Sequence, residues 1–249
     1  MVAALDRGEV DVTQTATPYL IQAVFKGSPA AAIAGTTANP IYSLIAKPDI
    51  QSFAELKGRL IGLSLPIDMI SISMRKLLVL KGLGDADSPL RATCLKSGEC
   101  DAVPLGQPED LLAVKEGYRR LGISTEAVAS FQFEVIAARR DFSQRHADIM
   151  IHFVRALADA FRYIRDPAHR DDAAKAVVEL TGAPDDIARA TLKLYLETDR
   201  GVLARQAEID LKGLQQVIAF MGEGGTIKPP LPAPEQFVEP QYFRAAGVE

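Results

Sequence analysis

The chain has 249 residues, 48% hydrophobic and 24% charged, the make-up of an ordinary globular protein with interior enough for one large domain or two small ones. Twenty-eight basic against 32 acidic side chains leave a net charge of −4 with no basic stripe, which argues against nucleic acid as a partner. No apolar run approaches the roughly twenty residues that span a bilayer, so direct membrane insertion is not expected.

The chain opens on Ala4-Leu5-Asp6-Arg7-Gly8-Glu9-Val10-Asp11-Val12, and a related stretch returns as Cys94-Leu95-Lys96-Ser97-Gly98-Glu99-Cys100-Asp101-Ala102. Leu, Gly, Glu and Asp recur at the same offsets. In each copy a helix should end on a left-handed glycine, turn through Glu and Asp, and feed a short buried strand. Two copies imply two similar α/β lobes. Met1 to Ala4 runs at once into the first copy, leaving no room for a signal peptide. Cys94 and Cys100 lie six positions apart; a disulfide between them is possible, but two buried thiols are the reading favoured here.

After the first copy, Asp11–Thr13 reads as a parallel strand running into small polar residues, Gln14, Thr15 and Thr17, before a helix over Tyr19–Phe25. Ala30–Ala34 and Ile41–Ala46 read as buried strands, separated by a loop that holds Thr36 and Thr37. Ser52 with Glu55 forms a capping-box pattern ahead of a strand at 59–64. A loop ending at Asp68 precedes a helix through Ser71 to Leu80, which Gly82 ends, and Asp68 is a candidate for that helix's cap as well as for a ligand. Following the second copy, Ala102–Leu105 is a strand that opens through Gln107-Pro108-Glu109-Asp110 into a helix over 111–118, and Phe131–Ala138 is the returning strand. From Ser143 onward the pattern is helical. Ile149, Phe153, Leu157, Phe161 and Ile164 form the apolar stripe of a long helix, and further helices cover 173–180, 184–196 and 210–221. The proline-rich stretch from Pro229 to Pro234 reads as an extended surface strap.

In this order the pieces resemble a type II solute-binding protein of an ABC importer, from the nitrate, sulfonate, taurine and pyrimidine-precursor branch. The residues that carry the likeness are Ala4–Asp11, Ser52–Gly62, Cys94–Asp110 and the C-terminal run from Ile209 through Ile218 to Pro230–Val238. Members normally begin with a strand, a helix and another strand before the first motif; those elements are absent here, and a further strand is missing between Gly84 and Ser88. The resemblance implies a two-lobed α/β fold with a discontinuous first lobe and a helical C-terminal third. Residues 1–44 and 137–249 would form one lobe and 45–136 the other. It also implies a periplasmic protein that captures a small polar or anionic solute in an interlobe cleft and delivers it to a membrane permease, as a monomer or weak dimer.

The ligand is expected to meet Gln14, Thr15 and Thr36 from one lobe and Asp68, Met69, Ser71 and Gln107 from the other, because strand ends and helix N-termini gather unpaired donors. Glu134 is a further candidate, either for a ligand ammonium or ring N–H, or as the partner of Arg139 or Arg140. No cofactor is implied. His146, His152 and His169 have no metal-ligand spacing, and no glycine-rich phosphate loop is present. The chain also lacks the cysteine cluster of the related thiamine-pyrimidine synthase. An enzyme on this scaffold, such as a desulfinase or decarboxylase, would need a cysteine nucleophile or an acid–base pair in the cleft. The effector-sensing domain of a transcription regulator is the third alternative.

Overall fold

A computed structural model describes residues 1–63, 68–84, 90–91, 99–128, 130–196 and 202–248. The chain divides into two compact units. The first comprises Met1–Asn39, Ser130–Arg170 and Gly201–Glu249; the second comprises Pro40–Ala129 and Asp171–Arg200. The sequence reading places residues 171–200 with the first lobe, whereas they cluster with the second. The cause is visible in their contacts: the helix Asp185–Leu196 packs on Glu109–Lys115, and Asp186 receives the Lys115 ammonium at 3.0 Å.

In the first unit the helix α1 (Val2–Asp6) ends as the repeat requires. Gly8 takes φ +71°, and the Glu9 N–H donates back to the Ala4 carbonyl at 2.9 Å, closing the helix before the strand begins. Strand β1 (Val12–Ala16) follows, then helix α2 (Thr17–Phe25) with Pro18 in its first turn, and strand β2 (Ala30–Thr37). The sheet order is β1–β8–β2, where β8 spans Glu134–Arg139 and runs antiparallel to both neighbours. The expected parallel pairing of the first strand is therefore not what the described ladder contains. Val12 pairs with Ala138 and Ala16 with Glu134 because the returning strand, not a crossover, supplies the partner.

The long helix α6 (Ala147–Arg165) buries Met150, Val154, Ala158 and Phe161 against Ile33, Ala34, Ile136 and Ala138. The first half of the expected stripe is thus turned by one position, while Phe161 is buried and Leu157 and Ile164 pack against the same core as expected. Ile149 is 51% exposed and Phe153 is 38% exposed; Val154 and Ala158, small residues on the inward row, let the helix approach the sheet. The tail is more than a strap. Phe237 is buried, Val238 bridges to Ala32, and the Glu239 N–H donates to the Ala32 carbonyl at 2.8 Å, so this segment covers the outer edge of β2. The short helix α10 (Gln241–Ala246), not anticipated from the sequence, adds Tyr242 and Ala246 to the same core.

The second unit carries a five-stranded sheet ordered β5–β4–β6–β3–β7, with β3 at Ser43–Ala46, β4 at Ile61–Gly62, β5 at Leu90–Arg91, β6 at Ala102–Leu105 and β7 at Arg119–Ile123. Strand β7 goes unseen in the sequence because its two arginines hide an alternating pattern. Its core gathers Leu44, Ile50, Leu56, Ile61, Met74, Leu77 and Leu78. Ser52 makes no side-chain cap to the turn at Phe53–Leu56; instead Glu55 accepts from the Gln51 N–H at 2.7 Å. The second copy of the repeat falls largely outside the described residues.

Two features of this unit are testable directly. Cys100 is disulfide-bonded, so the expectation of a buried thiol there is corrected; Cys94, the other cysteine of the sequence, lies outside the described residues. Reductant should expose two titratable thiols and lower the thermal midpoint by several degrees; an unchanged midpoint would mean that the bond constrains nothing that unfolds.

Asp101, in the second copy of the turn, joins strands through its carboxylate. It accepts from the Leu60 N–H at 3.0 Å and from Lys47 at 3.1 Å, with Arg59 at 3.8 Å. The Leu60 hydrogen bond, reinforced by Lys47 and Arg59, holds its carboxyl below the usual carboxylate range in spite of partial burial. A depressed folded-state pKa contributes stability that is complete above the unfolded value and is lost as pH falls through the folded one. Asp101→Asn should therefore be less stable than the parent at pH 7, and the gap should narrow progressively as pH falls below about 4. Thermal midpoints at pH 7 and pH 3 check this; a gap of constant size would contradict it.

Candidate functional site

The polar residues expected at the end of β1 fall into two groups, because successive strand side chains point to opposite faces. Thr13 and Thr15 are buried on one face, whereas Gln14 is exposed on the other. Gln14 shares its face with Glu134, which opens β8 opposite Ala16 and Thr37. The Gln14 amide Nε2 donates to Glu134 Oε2 at 2.8 Å and lies 3.5 Å from Thr36 Oγ1, and the Thr37 hydroxyl donates to the same Glu134 oxygen at 3.1 Å. Gln14, Thr36 and Glu134 thus come together; Thr15 does not join them through its side chain. Its hydroxyl lies 3.5 Å from the Ala16 carbonyl.

The alternative role for Glu134, an ion pair with Arg139 or Arg140, is not what those arginines do. Arg139 binds Asp141 at 3.1 Å and the Leu5 carbonyl, and Arg140 binds the Gln236 carbonyl and lies 3.6 Å from Glu239. The position of Glu134 is fixed from behind by Gln132, which is 1% exposed and which the sequence does not single out. Its Nε2 donates to the Glu134 carbonyl at 2.9 Å while its Oε1 accepts from the Asp210 N–H at 2.7 Å.

The Thr17 N–H donates to the Phe133 carbonyl, which marks 17/133 as a bonded pair and, by alternation, 15 and 13 as the bonded residues of β1. The N–H groups of Val12, Gln14 and Ala16 consequently face away from β8, and they have no partner among the described residues. A cavity of about 670 Å³ runs along this open edge, lined by Gln14, Thr15, Ala16, Glu134, Tyr19 and Gln22, with Asp6, Lys26 and Ser28 further along its wall. Its volume lies in the range that small organic ligands occupy.

In the second unit the expected residues serve their own elements. Asp68 Oδ1 accepts from the Ser71 N–H at 2.7 Å and so caps helix α3 (Met69–Leu80). Met69 and Ser71 are buried in that helix's inner face. Gln107 belongs to a network that the sequence does not reveal. Asp110, 0% exposed, accepts at Oδ2 from Ser43 Oγ at 2.5 Å, Gln107 Nε2 at 2.9 Å and Arg120 Nη2 at 2.9 Å. Asp110 Oδ1, Gln107 Oε1 and Arg120 Nε are buried without a partner among the described residues. The signal that could have found this network is a first-turn helix carboxylate on the inward face, with an arginine on the following strand.

Cys100 is tied up in its disulfide, His146 packs on Phe142 and His169 stacks on Tyr163. Among the described residues no group of His, Cys, Asp and Glu is placed to hold a metal. No helix among them is long and apolar enough to cross a membrane.

Residues 1–169 match the family described as NMT1/THI5 like. The chain belongs to the NMT1/THI5-like family. Its structure has the periplasmic binding protein fold. It is similar to the zinc-bound ligand-binding component of an ABC-type import system from Staphylococcus aureus, at a TM-score of 0.79 and 16% identity over 99% of this chain and 84% of that one. It is also similar to the periplasmic aliphatic sulphonate-binding protein SsuA from Escherichia coli, at 0.73 and 15% over 96% and 78%. The desulfurization enzyme DSZB shares the fold at 0.66 and 16% over 95% and 85%. No curated protein sequence matches the chain.

Proposed function

We propose that this NMT1/THI5-like chain is the solute-binding component of an ABC importer, taking up a small polar organic solute reversibly and passing it to a membrane permease. The observation that carries the reading is the cavity beside β1. It joins apolar wall, an aromatic ring at Tyr19 and a polar head, Gln14 with Glu134, whose orientation is preset by Thr37 and Gln132. The solute is assigned to Gln14 and Glu134, with Thr36 and Thr37 supporting them. The fold shared with import-system components supports the transport role. The disulfide at Cys100 is in keeping with an oxidising compartment such as the periplasm. The enzyme reading is left without a thiol nucleophile at Cys100.

A ligand that binds the folded chain alone stabilises it by about 2.7 kcal/mol at a hundredfold excess over Kd. A thermal-shift screen of the full chain against sulfonates, nitrate, aromatic acids, pyrimidine precursors and amines should therefore find one class that raises the midpoint by several degrees. A flat response to every class would show that capture of such solutes is the wrong function.

A further inference from the structure

We infer that the solute is recognised through hydrogen-bond donors of its own, on an amine or amidinium group, and not through an oxyanion; this rests on the solute-binding reading above. An ionised carboxylate has acceptors alone, so the nitrogen of any amide beside it must be the atom that faces it. Gln14 is oriented in this way: its Nε2 is spent on Glu134 Oε2, leaving Oε1, an acceptor, for a guest. Glu134 Oε2 is filled by Gln14 and Thr37, while Oε1 has no partner among the described residues and no arginine neutralises it. A guest at this head meets two acceptors, one of them charged. Further along the cavity wall stand Asp6 on the acidic side and Lys26 on the basic side, neither of which is bonded to the Gln14–Glu134 head.

The open-edge N–H of Ala16 lies across from Glu134 in the strand register and would attract an oxygen. Because that N–H faces away from β8, it serves a carbonyl on an amine-bearing solute without competing for Glu134. The second unit, taken by itself, shows the same chemistry. Gln107 also turns its Nε2 to a carboxylate, Asp110, and leaves its Oε1 unpartnered. Both glutamines thus spend their amide nitrogen on a carboxylate and keep the oxygen.

Four probes of equal ring size separate the cases: benzylamine and benzamidine against benzoate and benzenesulfonate, titrated calorimetrically into the full chain. The amine and amidine should bind at least tenfold more tightly than the two oxyanions, and Glu134→Gln should remove at least tenfold of that affinity. Tighter binding of the oxyanions, or equal binding of the two classes, would overturn the inference and leave the solute-binding reading standing. Unchanged benzamidine affinity in a folded Glu134→Gln variant would overturn it too. The ranking on the unsubstituted chain decides the matter even if that variant fails to fold. Silence from all four probes together with a flat thermal-shift screen would remove the solute-binding reading itself.

Discussion

Asp110→Ala should destabilise the second unit by about 3 kcal/mol, the lower end of the cost of removing one partner from a buried charge pair. The carboxylate is fully buried and is the shared acceptor for Ser43, Gln107 and Arg120, so its loss strands three donors at once. Arg120 is 27% exposed in its side chain and can turn toward water, which keeps the cost from the upper end of the range. Asp110→Asn, which retains one acceptor oxygen, should lose less. Urea denaturation of the parent and both variants measures the difference. A loss below about 1 kcal/mol for the alanine variant would mean that the network is incidental to the fold.

Gly213→Ala should destabilise the first unit by about 2 kcal/mol, although alanine is the better helix former by about 1 kcal/mol. Gly213 lies in helix α9 (Leu211–Glu223), where an added Cβ would stand 2.4 Å from the Phe131 carbonyl carbon and 2.7 Å from the Gln132 nitrogen. Both are backbone atoms and cannot swing aside. Neighbouring bonds hold the helix in that position: Ser130 donates to Asp210 at 2.8 Å, Gln132 accepts from Asp210, and the Phe131 ring meets Phe220 edge-on at 5.4 Å. Overpacking here pushes on the segment that leads into Glu134, so the variant should also weaken solute binding. At 2–4 °C per kcal/mol for a chain of this size, the midpoint should fall by roughly 4–8 °C. A rise in the midpoint would mean that helix propensity outweighs the close approach.

Much of the fold is legible in the residues because it is written locally. Gly8 and Gly82 mark helix ends through left-handed backbone, Pro18 through its fixed φ and Asp68 through a side-chain cap, and the structure uses all four. What escapes is the part decided at a distance. The offset of the stripe on Ala147–Arg165 depends on which of two adjacent apolar rows fits the sheet, and Met150, Val154 and Ala158 fit better than Ile149 and Phe153. Strand β7 exists because β3 offers it a partner.

The polar sites divide in the same way. Gln14, Thr36 and Glu134 are recognisable as polar residues at strand ends. That Gln14 donates to Glu134 across 120 positions, and that Thr15 turns to the opposite face, follows from the register of β1 with β8. Asp110 passes for a solvent-facing residue in a helix's first turn until Ser43 and Arg120 are brought to it by their strands.

The central claim is that the polar head at Gln14 and Glu134 holds a solute reversibly. Calorimetric titration of the parent and of Gln14→Ala, with whichever solute raises the midpoint most in the thermal-shift screen, tests it most directly. The expected result is one site per chain in the parent and an affinity at least tenfold weaker in the variant, with the variant's own thermal midpoint nearly unchanged because Gln14 is exposed. Tenfold corresponds to about 1.4 kcal/mol, within the range of one hydrogen bond to a buried or charged partner. Equal affinity in parent and variant would contradict the assignment and place the solute elsewhere on the chain.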